Sequence, residues 1–328
     1  MANGSLYTGL KVFAGRNSIE LAKRVCMPMS IDLGLARTIP FPDGELIVKL
    51  DEDVRGRDCY VVISTGEPVN DNIMEMLIFI DCLRRASAGR VSIVIPYFGY
   101  GRQDRKDEGR VPITAKLVAN IMTSAGADRV LAIDLHAAQI QGFFDLPVDH
   151  LSATPVFVEY FQKHKAQMPN LCLVSPDVGN VKVAESMANL LGGDLAIINK
   201  RRTSGSLVSM GHIIGDVEGK TVLMFDDMIS TAGTVCEAAK LVKDKGAREV
   251  IAAATHGLFV GSAVDRLMAS AISRIIVTDT VPLLPRCKPL EDRIVQLSVG
   301  QLVGEAIVRI HNNQSVSALF NKTAGVKR

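Results

Sequence analysis

Two adjacent carboxylates, Asp226 and Asp227, end the apolar run VLMF and are followed at once by MISTAGT. Ionised carboxylate oxygens accept hydrogen bonds or bind hard cations, so a pair of them can grip two neighbouring hydroxyls or a divalent ion. Ser230, Thr231, Ala232, Gly233 and Thr234 then bring hydroxyls, backbone N–H groups and a glycine to the entry of a helical pattern. Helix N-termini favour anions. A diol grip one turn from an anion cradle suits a sugar phosphate. An ordinary helix cap uses the same residue types, with Ser or Thr at the N-cap behind acidic residues. A cap, however, does not require a buried strand to deliver two carboxylates side by side.

Five other stretches carry chemistry-bearing residues. DLHA (134–137) closes an apolar run and sets Asp134 and His136 two apart, on one side of a pleat. SPD (175–177) puts Asp177 at the end of another such run. GYGRQDRKDEGR (99–110) is a glycine-punctuated loop with four basic residues, and INKRRTSGSLVSMGH (198–212) sends three basic residues into a Ser/Gly-rich stretch. On composition alone both are solvated loops. FPDGEL (41–46) places Asp-Gly between alternating segments, which is a hairpin signal.

The elements that must position these residues read as α/β. Val- and Ile-rich runs begin at LKVFAG (10–15) and recur through CYVVIS, VSIVIPYF, RVLAIDL, LCLVSP, DLAIIN, KTVLMF, EVIAAAT and RIIVTDT (274–280). Between them lie stretches of helical period such as NDNIMEMLIFIDCLRRA, ITAKLVANIMTSAGA and STAGTVCEAAKLVKDKGA. Near-continuous apolar strands separated by helices predict mostly parallel sheets covered on both faces. In such sheets ligands sit beyond the carboxyl ends of the strands. Residues 115–137 also align with 239–257, each with AKLV, a Gly-Ala turn, a strand and a His, which suggests duplication. The division falls near 153, giving domains at 1–153 and 154–312, with 313–328 a tail able to dock on the first.

Bulk properties narrow the function classes. The chain has 328 residues, is 48% apolar, has no Trp and carries a net charge of +2. That balance argues against a nucleic-acid binder, and no apolar run reaches the ~20 residues that span a bilayer. The start lacks the basic and apolar regions of a signal peptide. The six cysteines are scattered without a CxxC pair, as in reduced, cytoplasmic proteins.

VLMFDDMISTAGT resembles the motif of the phosphoribosyl-diphosphate-binding superfamily. The rest of the chain resembles one family within it, the ribose-phosphate diphosphokinases, on FPDGE (41–45), NDNIMEM (70–76), YGRQDRKD (100–107), PITAKLVAN (112–120), DLHAAQIQGFFDLPVDHL (134–151), SPDVGN (175–180) and NNQSVSALF (312–320). The resemblance implies two similar phosphoribosyltransferase-like domains and a homo-oligomer, a hexamer in that family. It also implies transfer of the diphosphoryl group of ATP to ribose 5-phosphate with Mg²⁺. By the same resemblance Phe41, Asp43, Glu45, Arg102, Gln103 and Asp107 contact ATP, the hairpin doing so in a neighbouring subunit. Asp226, Asp227, Ser230, Thr231, Ala232, Gly233 and Thr234 bind ribose 5-phosphate, and His136 and Asp177 hold the metal. Lys200, Arg202 and His136 are catalytic.

The chain departs from that pattern at a few positions. Ser230 stands where most relatives have a third acidic residue. Glu108 and Gly109 replace a basic residue and a Ser that, with Arg55, Arg110, Ser315 and Ser317, form the family's regulatory anion site, and His150 replaces an Asn near it. Activation by inorganic phosphate and allosteric inhibition by ADP are therefore expected to be weak or absent. Two other readings use the same carboxylate loop: a phosphoribosyltransferase, which needs only one domain, and a non-catalytic regulatory homologue.

Overall fold

Strands whose residues are apolar on both faces need cover on both sides, and the structure provides it twice. The structure, a computed structural model, describes residues 9–176, 179–199 and 212–319. Among these the chain forms two compact units. One holds residues through Ala153, Thr280–Pro282 and the stretch from Ser298; the other holds Thr154–Asp279 and Leu283–Leu297.

The first unit is built on a parallel five-stranded sheet in the order β1(Leu10–Ala14), β4(Asp58–Val62), β5(Arg90–Ile95), β6(Arg129–Ile133), β7(Val148–Leu151). The helices α1(Ile19–Cys26), α2(Val69–Arg85) and α3(Thr114–Ala125) connect it. An antiparallel hairpin, β2(Ala36–Pro40) and β3(Leu46–Leu50), forms its own two-stranded sheet. Its contact with α2 is organised by Glu75, which is fully buried. The Glu75 carboxylate accepts the Arg16 N–H and Nε–H at 3.0 and 3.1 Å and the Thr38 hydroxyl at 2.7 Å. These donors offset the cost of burying the charge.

The second unit has a seven-stranded sheet in the order β10(His212–Ile214), β9(Asp194–Asn199), β8(Leu171–Ser175), β11(Thr221–Ile229), β12(Glu249–Gly257), β13(Arg274–Thr278), β14(Ile294–Leu297). All its pairs are parallel except β9–β10. The helices α4(Thr154–Lys163), α5(Val181–Leu191), α6(Gly233–Asp244) and α7(Ala263–Met268) belong to this unit. The chain builds outward from β8 through β9 to β10, then returns to β11 on the other side of β8. That reversal opens a crevice beyond the carboxyl ends of β8 and β11.

The last helix, α8(Gly300–His311), belongs to the first unit, whereas the sequence grouped residues up to 312 with the second. It packs on α1. A Cβ on Gly300 would lie 2.6 Å from that of Arg24, and one on Gly304 would lie 2.6 Å from the Val25 carbonyl oxygen. Two glycines one turn apart thus let the helices approach closely. His311 Nδ1 lies 2.7 Å from the Asp58 carboxylate, and the turn Val316–Leu319 packs back on α8.

The two aligned segments agree in part. A left-handed glycine follows each helix, Gly126 (φ +106°) as the cap of α3 and Gly246 (φ +88°) one residue past the Lys245 cap of α6, and both lead into a parallel strand. AKLV opens α3 but closes α6, so the helices are not equivalent along that string. The matched histidines also differ: His256 is buried within β12, while His136 is exposed beyond the end of β6.

The cysteines are free thiols. Burial pushes Cys26 and Cys172 up to about 11 and Cys59 up to about 12. At neutral pH such groups are inert packing residues.

Candidate active site

β11 is buried from Thr221 to Phe225 and surfaces at Asp226 and Asp227, which are half-buried. This is the carboxyl end beside the reversal in strand order. The Asp226 carboxylate accepts the backbone N–H of Asp227 at 2.9 Å. It is also within 3.4 Å of Asn180 Nδ2, which donates to the Phe225 carbonyl at 2.7 Å. Asn180 stands at the N-cap of α5, so the turn after β8 clamps the point where β11 emerges. Sequence reasoning missed Asn180. An Asn before a helical pattern signals a cap, and only the folded sheet shows it reaching 45 residues along the chain.

The loop from Ile229 to Ala232 is fastened from outside. Leu258 and Phe259 donate backbone N–H groups to the Ile229 carbonyl, and Val260 donates to that of Ser230. Arg266, on α7, donates from Nη1 to the Thr231 carbonyl at 2.9 Å. The N-cap of α6 is Ala232, with no side-chain cap hydrogen bond. The cap reading of the Ser/Thr residues therefore fails. The first amides of α6, Gly233 and Thr234 among them, have no intrahelical acceptor by helix geometry, and Ala232 at the N-cap brings no side-chain acceptor to them. Ala232 has φ +59°, a left-handed conformation that costs a residue with a Cβ about 1–2 kcal/mol. Paired acids, an uncapped helix start and a strained turn thus occupy nine consecutive residues, 226 to 234. Together they can accept hydroxyl donors at one end and surround an anion at the other.

In the first unit, Arg102, Gln103 and Asp107 lie exposed on the loop after β5. The loop is held at Gln103, whose N–H donates to the Tyr100 carbonyl at 2.9 Å and whose side-chain oxygen accepts the Thr114 hydroxyl. Asp107 pairs with Arg105 at 2.7 Å. Gln139 donates to Asp104 at 2.8 Å, which joins this loop to the segment following His136.

The sequence set Asp134 and His136 on one side of a pleat, and the structure differs. β6 ends at Ile133 and Asp134 takes φ +38°, so the alternation stops there. The Asp134 carboxylate turns back to accept the Ala153 N–H at 3.0 Å. The next N–H, of Leu135, donates to His150 Nε2 at 2.9 Å. His150 must be neutral at that nitrogen to accept. Burial lowers its pKa, against a smaller upward pull from Asp134. His150 therefore braces the turn that presents His136.

Phe41, Asp43 and Glu45 form the tip of the β2–β3 hairpin, as the Asp-Gly signal predicts. Phe41 donates its N–H to the Glu45 carbonyl at 2.8 Å, and the Asp43 side chain accepts the Glu45 N–H at 3.1 Å. The Phe41 ring is 45% exposed. These bonds fix the tip's shape locally. Asp177, Lys200 and Arg202 lie outside the described residues. Among the described residues no three His, Cys, Asp or Glu side chains are gathered as for a metal, and no helix is long and apolar enough to cross a membrane.

Comparison with known proteins identifies the family. Residues 10–126 match the model of the N-terminal domain of ribose phosphate pyrophosphokinase, and residues 208–321 match that of the phosphoribosyl synthetase-associated domain. The ribose-phosphate pyrophosphokinase of Rhodopirellula baltica is 55% identical over 314 residues, covering 95% of this chain and 99% of that protein. That of Bacillus subtilis is 47% identical over 312 residues, covering 95% and 97%. The crystal structure of phosphoribosylpyrophosphate synthetase from Mycobacterium smegmatis superposes with a TM-score of 0.85 at 40% identity, covering 93% of this chain and 99% of that one. With near-complete coverage at such identity, the chain belongs to the ribose-phosphate diphosphokinase (pyrophosphokinase) family of enzymes.

Proposed function

We propose that this enzyme transfers the diphosphoryl group of ATP to the C1 hydroxyl of ribose 5-phosphate, giving 5-phosphoribosyl 1-diphosphate and AMP. The observation that carries the reading is the pair Asp226–Asp227 at the strand-order reversal, followed within one turn by an uncapped helix start. The two carboxylates hold the ribose diol, and Ser230 adds a hydroxyl. Backbone and hydroxyl groups from Thr231 to Thr234 receive the 5-phosphate. Arg102 pairs with ATP phosphate oxygens, Gln103 and Asp107 position the nucleotide, and Phe41, Asp43 and Glu45 bind adenine from a neighbouring subunit. Ile39 and Ile47, cross-strand partners on that hairpin, are both exposed, as a surface awaiting a second copy would be.

The anomeric oxygen attacks the β-phosphorus in line. One O–P bond forms, the bond between the β-phosphorus and the bridging oxygen breaks, AMP departs with that oxygen, and the hydroxyl proton is released. No covalent enzyme intermediate is needed, because phosphoryl transfer depends mainly on positioning and charge stabilisation. Lys200 and Arg202 balance charge on the diphosphoryl oxygens. His136 and Asp177 are the metal-holding residues. Mg²⁺ is commonly held by one or two carboxylates plus substrate phosphate oxygens and waters, so Asp177 would supply a direct ligand and the His136 imidazole would meet the ion through water. When bound, the ion neutralises phosphate charge.

The test is AMP formation with ATP, Mg²⁺ and ribose 5-phosphate. One AMP per ribose 5-phosphate consumed is expected. No AMP, or a requirement for a nucleobase, would refute the reading in favour of a regulatory homologue or a phosphoribosyltransferase respectively.

A further inference from the structure

The geometry points to Arg266 as a positioning residue that shapes the phosphate cradle from behind, an inference that rests on the ribose 5-phosphate reading of that loop. Arg266 lies on α7, 35 residues along the chain from the carbonyl it meets. Its Nη1 donates to the Thr231 oxygen at 2.9 Å, and the same nitrogen would lie 3.5 Å from a Cβ on Gly233. The cation thus borders both residues that flank Ala232, the one held at φ +59°.

Two consequences follow from peptide chemistry. The Thr231 carbonyl and the Ala232 N–H belong to one planar unit, so a donor fixed on the oxygen fixes the direction of the N–H. A guanidinium at that oxygen also polarises the peptide, making the N–H a stronger donor, since chained hydrogen bonds reinforce one another. The backbone donors at 258–260 reach only Ile229 and Ser230. Arg266 therefore sets the geometry at the residue where the turn is most strained. It touches the loop rather than the substrate, so its removal should weaken ribose 5-phosphate selectively.

The experiment compares wild type with Arg266→Ala, Arg266→Gln and Arg266→Lys. The readouts are KM for each substrate, kcat, and a calorimetric Kd for ribose 5-phosphate without ATP. The neutral variants are expected to raise the KM and Kd of ribose 5-phosphate about tenfold while the KM of ATP stays within twofold. Arg266→Lys, which lacks the planar fork, should raise them about threefold, and it decides alone should the neutral variants fail to fold. Ribose 5-phosphate constants within twofold of wild type, or equal rises for both substrates, would overturn the inference. Wild type without saturable ribose 5-phosphate binding would remove the substrate reading as well. Wild-type binding that ignores the Arg266 changes would remove only this inference.

Discussion

Gly99→Ala should damage the nucleotide half of the site through a single methyl group. Gly99 lies in the turn between β5 and the loop of Arg102, Gln103 and Asp107. Its N–H donates to the Thr65 hydroxyl at 2.6 Å, and that hydroxyl donates to the Tyr97 carbonyl at 2.8 Å. A Cβ there would sit 2.4 Å from the Thr65 carbonyl oxygen, 3.0 Å from a Val69 methyl and 3.2 Å from the Thr65 hydroxyl. Carbon and carbonyl oxygen ordinarily stay about 3.3 Å apart or more, so one side must withdraw by about 1 Å. The nearest atom is backbone, so the loop yields. Overpacking of this kind costs about 1–3 kcal/mol, and loss of the Gly99–Thr65 hydrogen bond adds about 1 kcal/mol. We expect about 2–4 kcal/mol of destabilisation in urea unfolding. Catalytic groups displaced by about 1 Å can lose up to 100-fold in rate, so kcat/KM for ATP should fall at least tenfold. Gly109→Ala is the control, because nothing lies within 4 Å of its Cβ. A Gly99→Ala protein within about 0.5 kcal/mol of wild type would refute the steric reasoning. A destabilised protein with unchanged ATP kinetics would refute the placement of ATP on this loop.

Two further outcomes are expected. His150 is held neutral by burial, with its pKa below the unfolded value, so the stability it contributes is present above about pH 6.5 and is lost as pH falls through the depressed folded pKa. His150→Asn, which keeps an acceptor for the Leu135 N–H, should flatten the fall in unfolding free energy, measured by urea titration between pH 7.5 and pH 5.5, by at most about 1.4 kcal/mol per pH unit; an unchanged slope contradicts this. Secondly, Glu108, exposed beside Gly109, puts a negative charge where the resembled family's pattern has a basic residue, so activity should vary less than about twofold with millimolar inorganic phosphate, as for a weak surface-charge effect. Strong dependence on phosphate, with sulfate as control, would show that the anion site survives the substitution.

Legibility in the sequence followed burial. The nine strands read from Val- and Ile-rich runs all form, because fully buried parallel strands are apolar on both faces. β7, β10 and β14 are not legible, since each has only three or four residues and at most one buried position. The hairpin was legible through Asp43-Gly44, a local signal. The placement of α8 was not. Periodicity shows that a helix has an apolar face, while the surface that receives it depends on Gly300 and Gly304 meeting Arg24 and Val25 of α1, 276 and 279 residues away in sequence. Asn180 and Arg266 escaped for the same reason, because each acts on a peptide carbonyl that only the folded chain brings near.

The residues that were legible are those that break local rules. A strand has no local reason to end in two like charges, and a helix gains by a side-chain cap that α6 lacks. A residue with a Cβ resists the left-handed conformation that Ala232 adopts. Each choice is unfavourable where it stands, and all three fall between 226 and 234. Such a cluster persists only where the surroundings hold it, and here the holding groups are Asn180, the 258–260 backbone and Arg266. Local inconsistency of this density marks functional sites. The division of labour follows: the residues proposed to meet the ligand are contiguous and readable, while those that keep them in an unfavourable arrangement are dispersed along the chain and become visible only once it is folded.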